Sequence, residues 1–142
     1  MSSNEVLKLI KDKEIDYVDL RFTDPRGKLQ HLTMDKTVVD SDMLNDGVFF
    51  DGSSIAGWKA INESDMILKP DTSRFFLDPF TSHNTAVLFC DILDAVKKTP
   101  YERDPRGVAK KAEEYLKASG IGDEAFFGPE PEFFVFDDVR IK

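Results

Sequence analysis

Hydrophobic and polar positions divide the chain into short, readable pieces. Ser2-Ser3-Asn4-Glu5 has the serine-to-glutamate spacing of a capping box, and Val6, Leu7 and Ile10 then make one apolar stripe. Together they predict an opening helix. From Ile15 to Phe22 the pattern alternates, with Val18, Leu20 and Phe22 on one face, as a half-buried strand requires. Asp24-Pro25-Arg26-Gly27 is a strong turn signal, and Leu29 to Met34 returns as a second strand of a hairpin. Val38 to Gly47 reads as a short helix opened by Asp40 or Ser41 and closed by Gly47. Phe50 to Asn62 is rich in serine and glycine and reads as a loop. Met66–Lys69, Arg74–Leu77 and Thr85–Leu93 are further strands, broken by Pro70 and Asp78-Pro79. The sum is a small mixed sheet with a helix against it, an α+β unit.

The pattern changes after that. Lys97-Lys98-Thr99-Pro100 reads as a polar linker, and Asp104-Pro105 as an N-cap followed by proline at the first helical position. Val108, Ala112, Tyr115 and Leu116 share a helix face, and Gly120 closes it. Phe126 to Phe136 then reads as a stiff aromatic strand. One helix and one strand bury no core of their own. Residues 1–100 are therefore expected to form one domain, and residues 101–142 the opening of a second.

Composition narrows the classes. Over 142 residues, 41% hydrophobic and 32% charged describes a globular chain, not a disordered one. A formal net charge of −8 argues against nucleic acid or an anionic membrane as partner, since either calls for a basic face. No apolar run reaches membrane-span length, and a cytoplasmic location is expected. Cys90, alone among apolar neighbours, reads as a buried strand thiol. His31 and His83 have no ligating partner at zinc spacing, and neither common nucleotide-binding glycine loop is present.

Candidate chemistry concentrates in two stretches. In Phe127-Gly128-Pro129-Glu130-Pro131-Glu132-Phe133-Phe134, an extended backbone would aim Glu130 and Glu132 at one side, roughly 6.5–7 Å apart. The prolines favour that extension. Either the two acids line the solvent face of an edge strand, or they help hold a divalent cation through oxygen ligands. Phe134 and Phe136 share their parity, which suits a cavity wall. In Phe50-Asp51-Gly52-Ser53-Ser54, the acid, glycine and hydroxyls suit an Asx- or Ser-turn. Trp58, the single tryptophan, either caps the core or covers a ligand or partner. Lys110-Lys111 and Glu113-Glu114 read as a solvated helix face. Arg103 and Arg106 flank the helix start, either as plain surface residues or as contacts for an anion or a neighbouring subunit.

Taken together, Phe50-Asp51-Gly52-Ser53-Ser54, Asn62-Glu63-Ser64-Asp65-Met66, Arg103-Asp104-Pro105-Arg106 and Phe127–Phe134 resemble bacterial type I glutamine synthetase, in that order and spacing along essentially the whole chain. The resemblance implies a β-grasp-like amino-terminal domain followed by the first helix and strand of a catalytic domain. It implies ATP-dependent ligation of ammonia to the γ-carboxyl of glutamate through γ-glutamyl phosphate, in a dodecamer of two stacked rings. By position, Glu130 and Glu132 match metal-ligating glutamates for magnesium or manganese, two or more ions per site. Asp51 matches the loop aspartate that binds and deprotonates ammonium in a neighbouring subunit, and Asp65 a second loop acid near the same mouth, with Trp58 lining it. Most of such a catalytic domain would lie beyond Lys142, so this chain alone is expected to be inactive. Two other readings stand beside this one: a stand-alone β-grasp binding or regulatory module, and a relative that ligates glutamate to an amine other than ammonia.

Overall fold

The computed structural model describes residues 1–58 and 64–141. Helix α1 (Ser3–Asp12) carries its capping box in both directions: the Ser2 side chain accepts from the Glu5 N–H, and the Glu5 carboxylate accepts from the Ser2 N–H. Its stripe ends in Val6 and Ile10, both buried. Strands β1 (Tyr17–Thr23) and β2 (Leu29–Asp35) form the expected antiparallel hairpin. Asp24 fastens its turn, accepting from the N–H groups of Arg26 and Lys28 at 2.9 Å each.

The segment read as one helix from Val38 to Gly47 is two pieces, a 3-10 turn at Lys36–Val38 and helix α2 (Ser41–Asp46). Asp40 caps α2 by accepting from the Met43 N–H at 2.7 Å. Gly47 follows with φ of +89°, and a Cβ there would sit 2.5 Å from the Leu68 carbonyl oxygen. Only glycine meets both demands. Strand β3 (Val48–Asp51) comes next, where the sequence reading begins a loop at Phe50. The remainder is β4 (Asp65–Pro70), the short β5 (Phe76–Leu77), β6 (Thr85–Asp94) and helix α3 (Pro105–Ser119). The loop expectation for residues 59–62 lies outside the described residues.

The strands form one six-stranded sheet in the order β2-β1-β6-β4-β3, with β5 also on β6. Among the described strands only β1 and β6 run parallel; the other pairs are antiparallel. Val6, Ile10, Met43 and Leu44 from the helices join Val18, Leu20, Met66, Leu68, Leu88 and Ile92 in one buried core. Cys90 belongs to that core, and burial raises its thiol far above the ordinary range, which leaves it unreactive. The opposite face of β1 holds a buried carboxylate, Asp19. It accepts from Thr33 at 2.7 Å and Arg21 at 2.7 Å, and contacts His31 Nδ1 at 2.9 Å. Burial alone would push this carboxyl up; those partners outweigh it and hold it below the usual range.

Strand β6 organises the sheet. Along one edge it pairs with β1 as far as Phe89. There β1 leaves, and the chain returns to fill the gap. The Tyr101 N–H donates to the Ile92 carbonyl at 2.9 Å, and the Asp94 N–H donates to Thr99 at 2.9 Å. The expected linker at 97–100 is therefore a tight return along β6. Asp104 completes it: one carboxylate oxygen accepts from the Ile92 N–H at 3.1 Å, and the other from the Arg106 N–H at 3.0 Å. One buried side chain thus closes a sheet ladder and caps α3. Burial pushes its carboxyl above the ordinary value, against the pull of those donors.

One expectation fails in the last third. Residues 126–136 form no strand, and Phe126, Phe127, Phe133 and Phe134 are exposed. No described strand lies beside them, and an extended segment without a ladder partner leaves its donors and acceptors to water. Helix α3 has no buried residue, as a helix without a core of its own requires, and Asp104 and Gly120 cap it as its sequence predicts. Among the described residues, no helix is long and apolar enough to cross a membrane.

Replacing Asp104 with Ala strands two N–H donors at once. The chain is expected to lose about 2–3 kcal/mol of unfolding free energy, a cap and a buried bond together. Urea denaturation of the variant beside the parent chain measures this.

Candidate functional site

Asp51 ends β3 and starts a single 3-10 turn, Gly52–Ser54. Its Oδ1 accepts from the Ser53 N–H at 2.8 Å and from the Ser53 hydroxyl at 2.6 Å. The expected Asx-type turn is therefore present. The Gly52 N–H donates to the Ser64 carbonyl at 2.7 Å, which ties the turn to the start of β4. A Cβ on Gly52 would fall on the Met66 side chain and 3.0 Å from that Ser64 oxygen, so the position admits no side chain without displacement. The Ser53 hydroxyl first, and then the Ser53 N–H, hold the exposed Asp51 carboxyl below its ordinary range, with the Ser64 hydroxyl adding to the effect. At neutral pH this is an oriented, charged carboxylate facing solvent.

Asp65 stands directly opposite Asp51 in the β3–β4 ladder, and both are exposed. Like charges opposite each other in a ladder disfavour the sheet. The pair therefore concentrates negative potential at one end of the β3–β4 hairpin, where a cation would relieve it. Asn62 and Glu63, which precede it, lie outside the described residues.

A cavity of about 310 Å³ adjoins Asp51. Its lining includes Asp51 and Ser54, Gln30 and His31 of β2, and apolar Phe22, Phe50 and Leu68. The fold alone brings Gln30 and His31 to this place; nothing in their sequence neighbourhood signals it. A larger cavity of about 870 Å³ runs along α3 and residues 121–127, lined by Tyr115, Leu116, Ile121, Phe126 and Phe127 among others. Neither cavity includes Glu130 or Glu132.

Trp58 is a core cap. It is 5% exposed, stacks on Phe22 with centroids 5.7 Å apart, and meets Phe50 and Tyr101 edge-on. The two arginines at the start of α3 are internal ties. Arg106 pairs with Asp71 and Asp91. Arg103 donates to the carbonyls of Gly57 and Trp58. Lys110 reaches Asp91 at 2.5 Å, and Glu113 pairs with Lys117 one turn along.

Glu130 and Glu132 lie in the exposed stretch that forms no strand, so no sheet fixes the shared-face geometry read from their spacing. The rings of Phe134 and Phe136 do come together, with centroids 6.1 Å apart. Carboxylates are suitable donors for a hard divalent cation, which takes about six or more oxygens. No group of three or more ligating side chains assembles among the described residues. The two glutamates thus fit the donor chemistry as a partial set.

Two family models match the chain. Residues 14–95 match the family described as glutamine synthetase, beta-Grasp domain, and residues 102–142 match glutamine synthetase, catalytic domain. A glutamine synthetase of Rhizobium meliloti (strain 1021) is 67% identical over 141 residues, covering 99% of this chain and 30% of the relative. One from Azotobacter vinelandii is 57% identical over 136 residues, covering 96% of this chain and 29% of the relative. The chain therefore spans about 30% of the length of the curated relatives it matches. A cryo-electron microscopy structure of Plasmodium falciparum glutamine synthetase superposes with a TM-score of 0.75 at 27% identity, covering 84% of this chain and 23% of that one. The curled mixed sheet with its helices is accordingly a β-grasp fold of the α+β class. The chain belongs to the glutamine synthetase family.

Proposed function

We propose that this chain is the amino-terminal portion of an enzyme that ligates ammonia to the γ-carboxyl of L-glutamate. ATP would phosphorylate that carboxyl, and ammonia would displace phosphate from the γ-glutamyl phosphate. The observation that carries the reading is Asp51: an exposed carboxylate, clamped by Ser53, on a turn that Gly52 and Ser64 hold in place. Such a group attracts ammonium and accepts the proton it must lose to become a nucleophile. Asp65, opposite it, adds negative potential at the same mouth. Family membership supports the reaction class. The catalytic machinery would be completed by a neighbouring copy and by further chain of the kind the longer relatives possess, in an oligomer of the dodecameric type.

Glu130 and Glu132 are proposed as two of the residues that would hold magnesium or manganese. Divalent ions, when bound, neutralise phosphate charge and orient phosphoryl transfer. The part played by this chain is to supply two anionic oxygen donors, next to Pro129 and Pro131, which stiffen the backbone between them.

Three outcomes are expected. In a full-length synthetase carrying this sequence as its amino-terminal part, Asp51→Ala lowers kcat/KM for ammonia about 100-fold or more, the usual scale for a lost acid–base group. Kinetics with ammonia varied at saturating glutamate measure it, and unchanged values remove Asp51 from the reaction. Ser53→Ala removes a donor to the ionised form of Asp51, so the carboxyl keeps its proton to higher pH. Carbon-13 NMR titration of the Asp51 carboxyl detects that upward movement. In the same full-length enzyme, Glu132→Ala raises the metal concentration for half-maximal activity about tenfold or more, and calorimetric metal binding weakens in step. Unaltered metal affinity would exclude Glu132 as a ligand.

A further inference from the structure

The loop that begins at Asp51 is held at two ends. Its near end is fixed by the β3–β4 ladder and the Gly52–Ser64 bond. Between the ends, the Ile55 N–H donates to Gly52 at 3.1 Å and the Trp58 N–H to Ile55 at 3.2 Å, a run of local turns. Its far end is held from a distance of some forty-five residues in sequence. Arg103 Nη1 donates to the Gly57 carbonyl at 2.8 Å and lies 3.4 Å from that of Trp58. The Tyr101 hydroxyl donates to the Trp58 carbonyl at 3.1 Å, and Trp58 Nε1 donates back to the Arg103 carbonyl at 3.3 Å.

The choice of partner is informative. In a chain with 27 acidic residues and a net charge of −8, this guanidinium is directed at two main-chain carbonyls of one loop. A bond from a charged donor is roughly twice as strong as a neutral one. The base of Arg103 is itself rigid, because its neighbours Tyr101 and Asp104 occupy the edge of β6. The clasp therefore links the edge of the sheet's central strand to the loop that begins at the acid.

We propose that Arg103 is a positioning residue for ammonia use: with the ladder fixing the near end, it holds the far end of the Asp51–Trp58 loop and so keeps the turn that orients the Asp51 carboxylate in place. This rests on the assignment of Asp51 as the ammonium-binding acid. A displacement of about 1 Å at a reacting group costs rate even when the displaced contact is remote from it. Lysine at 103 would keep the charge but not the planar fork.

The test uses a full-length synthetase carrying this sequence. Arg103→Ala is expected to raise KM for ammonia about tenfold, while KM for glutamate and for ATP stays within about twofold. Arg103→Lys recovers part of the loss. In an Asp51→Ala background, adding Arg103→Ala changes ammonia kinetics no further, since the two act as one unit. In this chain, Trp58 is the only tryptophan, and its emission shifts to the red in Arg103→Ala as the loop loosens. If Arg103→Ala does not fold, Arg103→Lys carries the same split between substrates. Parallel changes in all three KM values, or unmoved Trp58 emission, would overturn the proposal. A silent Arg103→Ala beside an impaired Asp51→Ala overturns the role of Arg103 alone. A silent Asp51→Ala overturns the assignment of Asp51 and this inference with it.

Discussion

A central strand must have every backbone donor and acceptor paired, and β6 meets that demand with an unusual set of partners. Strand β1 serves one edge only to Phe89. Beyond it, the backbone of Tyr101 and the side chain of Asp104 take over at Ile92. That substitution seats residues 101–106 against the sheet. With them come the cap of α3, the ion pairs of Arg106 with Asp71 and Asp91, and the contacts of Arg103 with the Trp58 loop. Removing the requirement at Ile92 would leave each of these without a fixed base. The region matched by the catalytic-domain family thus begins as part of the β-grasp sheet's own hydrogen bonding.

The same economy shapes the candidate site. Asp51 is exposed, yet its surroundings are stiff: a ladder on one side, a glycine pressed against Met66, and a stacked Trp58 at the far end of the loop. Serine donors keep it charged, and Asp65 opposite it costs the sheet some stability. Tolerance of a like-charge pair at a ladder's end is intelligible when the position serves a cation. A polar feature on a rigid scaffold is the usual form of a functional loop.

Much of the fold was legible because its cues are local. The capping box at Ser2–Glu5, the alternation of Val18, Leu20 and Phe22, and the turn at Asp24–Gly27 each act within a few residues. Strand β3 was hidden because Val48–Asp51 is short and merges into the Gly52–Ser54 turn, so its four residues carry no clear period. The aromatic stretch 126–136 shows the opposite error. Its composition favours a strand, but β structure needs a partner edge, and none of the described strands supplies one. The chemistry of Asp51 was visible as a turn motif, whereas its facing Asp65 and sharing a cavity with His31 was not.

Local sequence therefore determined the helices, the hairpin, the caps, and the carboxylates Asp51, Asp65, Glu130 and Glu132 on which the proposed chemistry rests. These follow from backbone sterics and short-range hydrogen bonds, which neighbours along the chain decide. Tertiary structure alone decided the parallel pairing of β1 with β6, the bond from the Ile92 N–H to buried Asp104, and the reach of the exposed Arg103 guanidinium to the Gly57 and Trp58 carbonyls. Those outcomes depend on which unsatisfied groups meet when the sheet closes. That is a matter of three-dimensional proximity, on which spacing along the chain is silent.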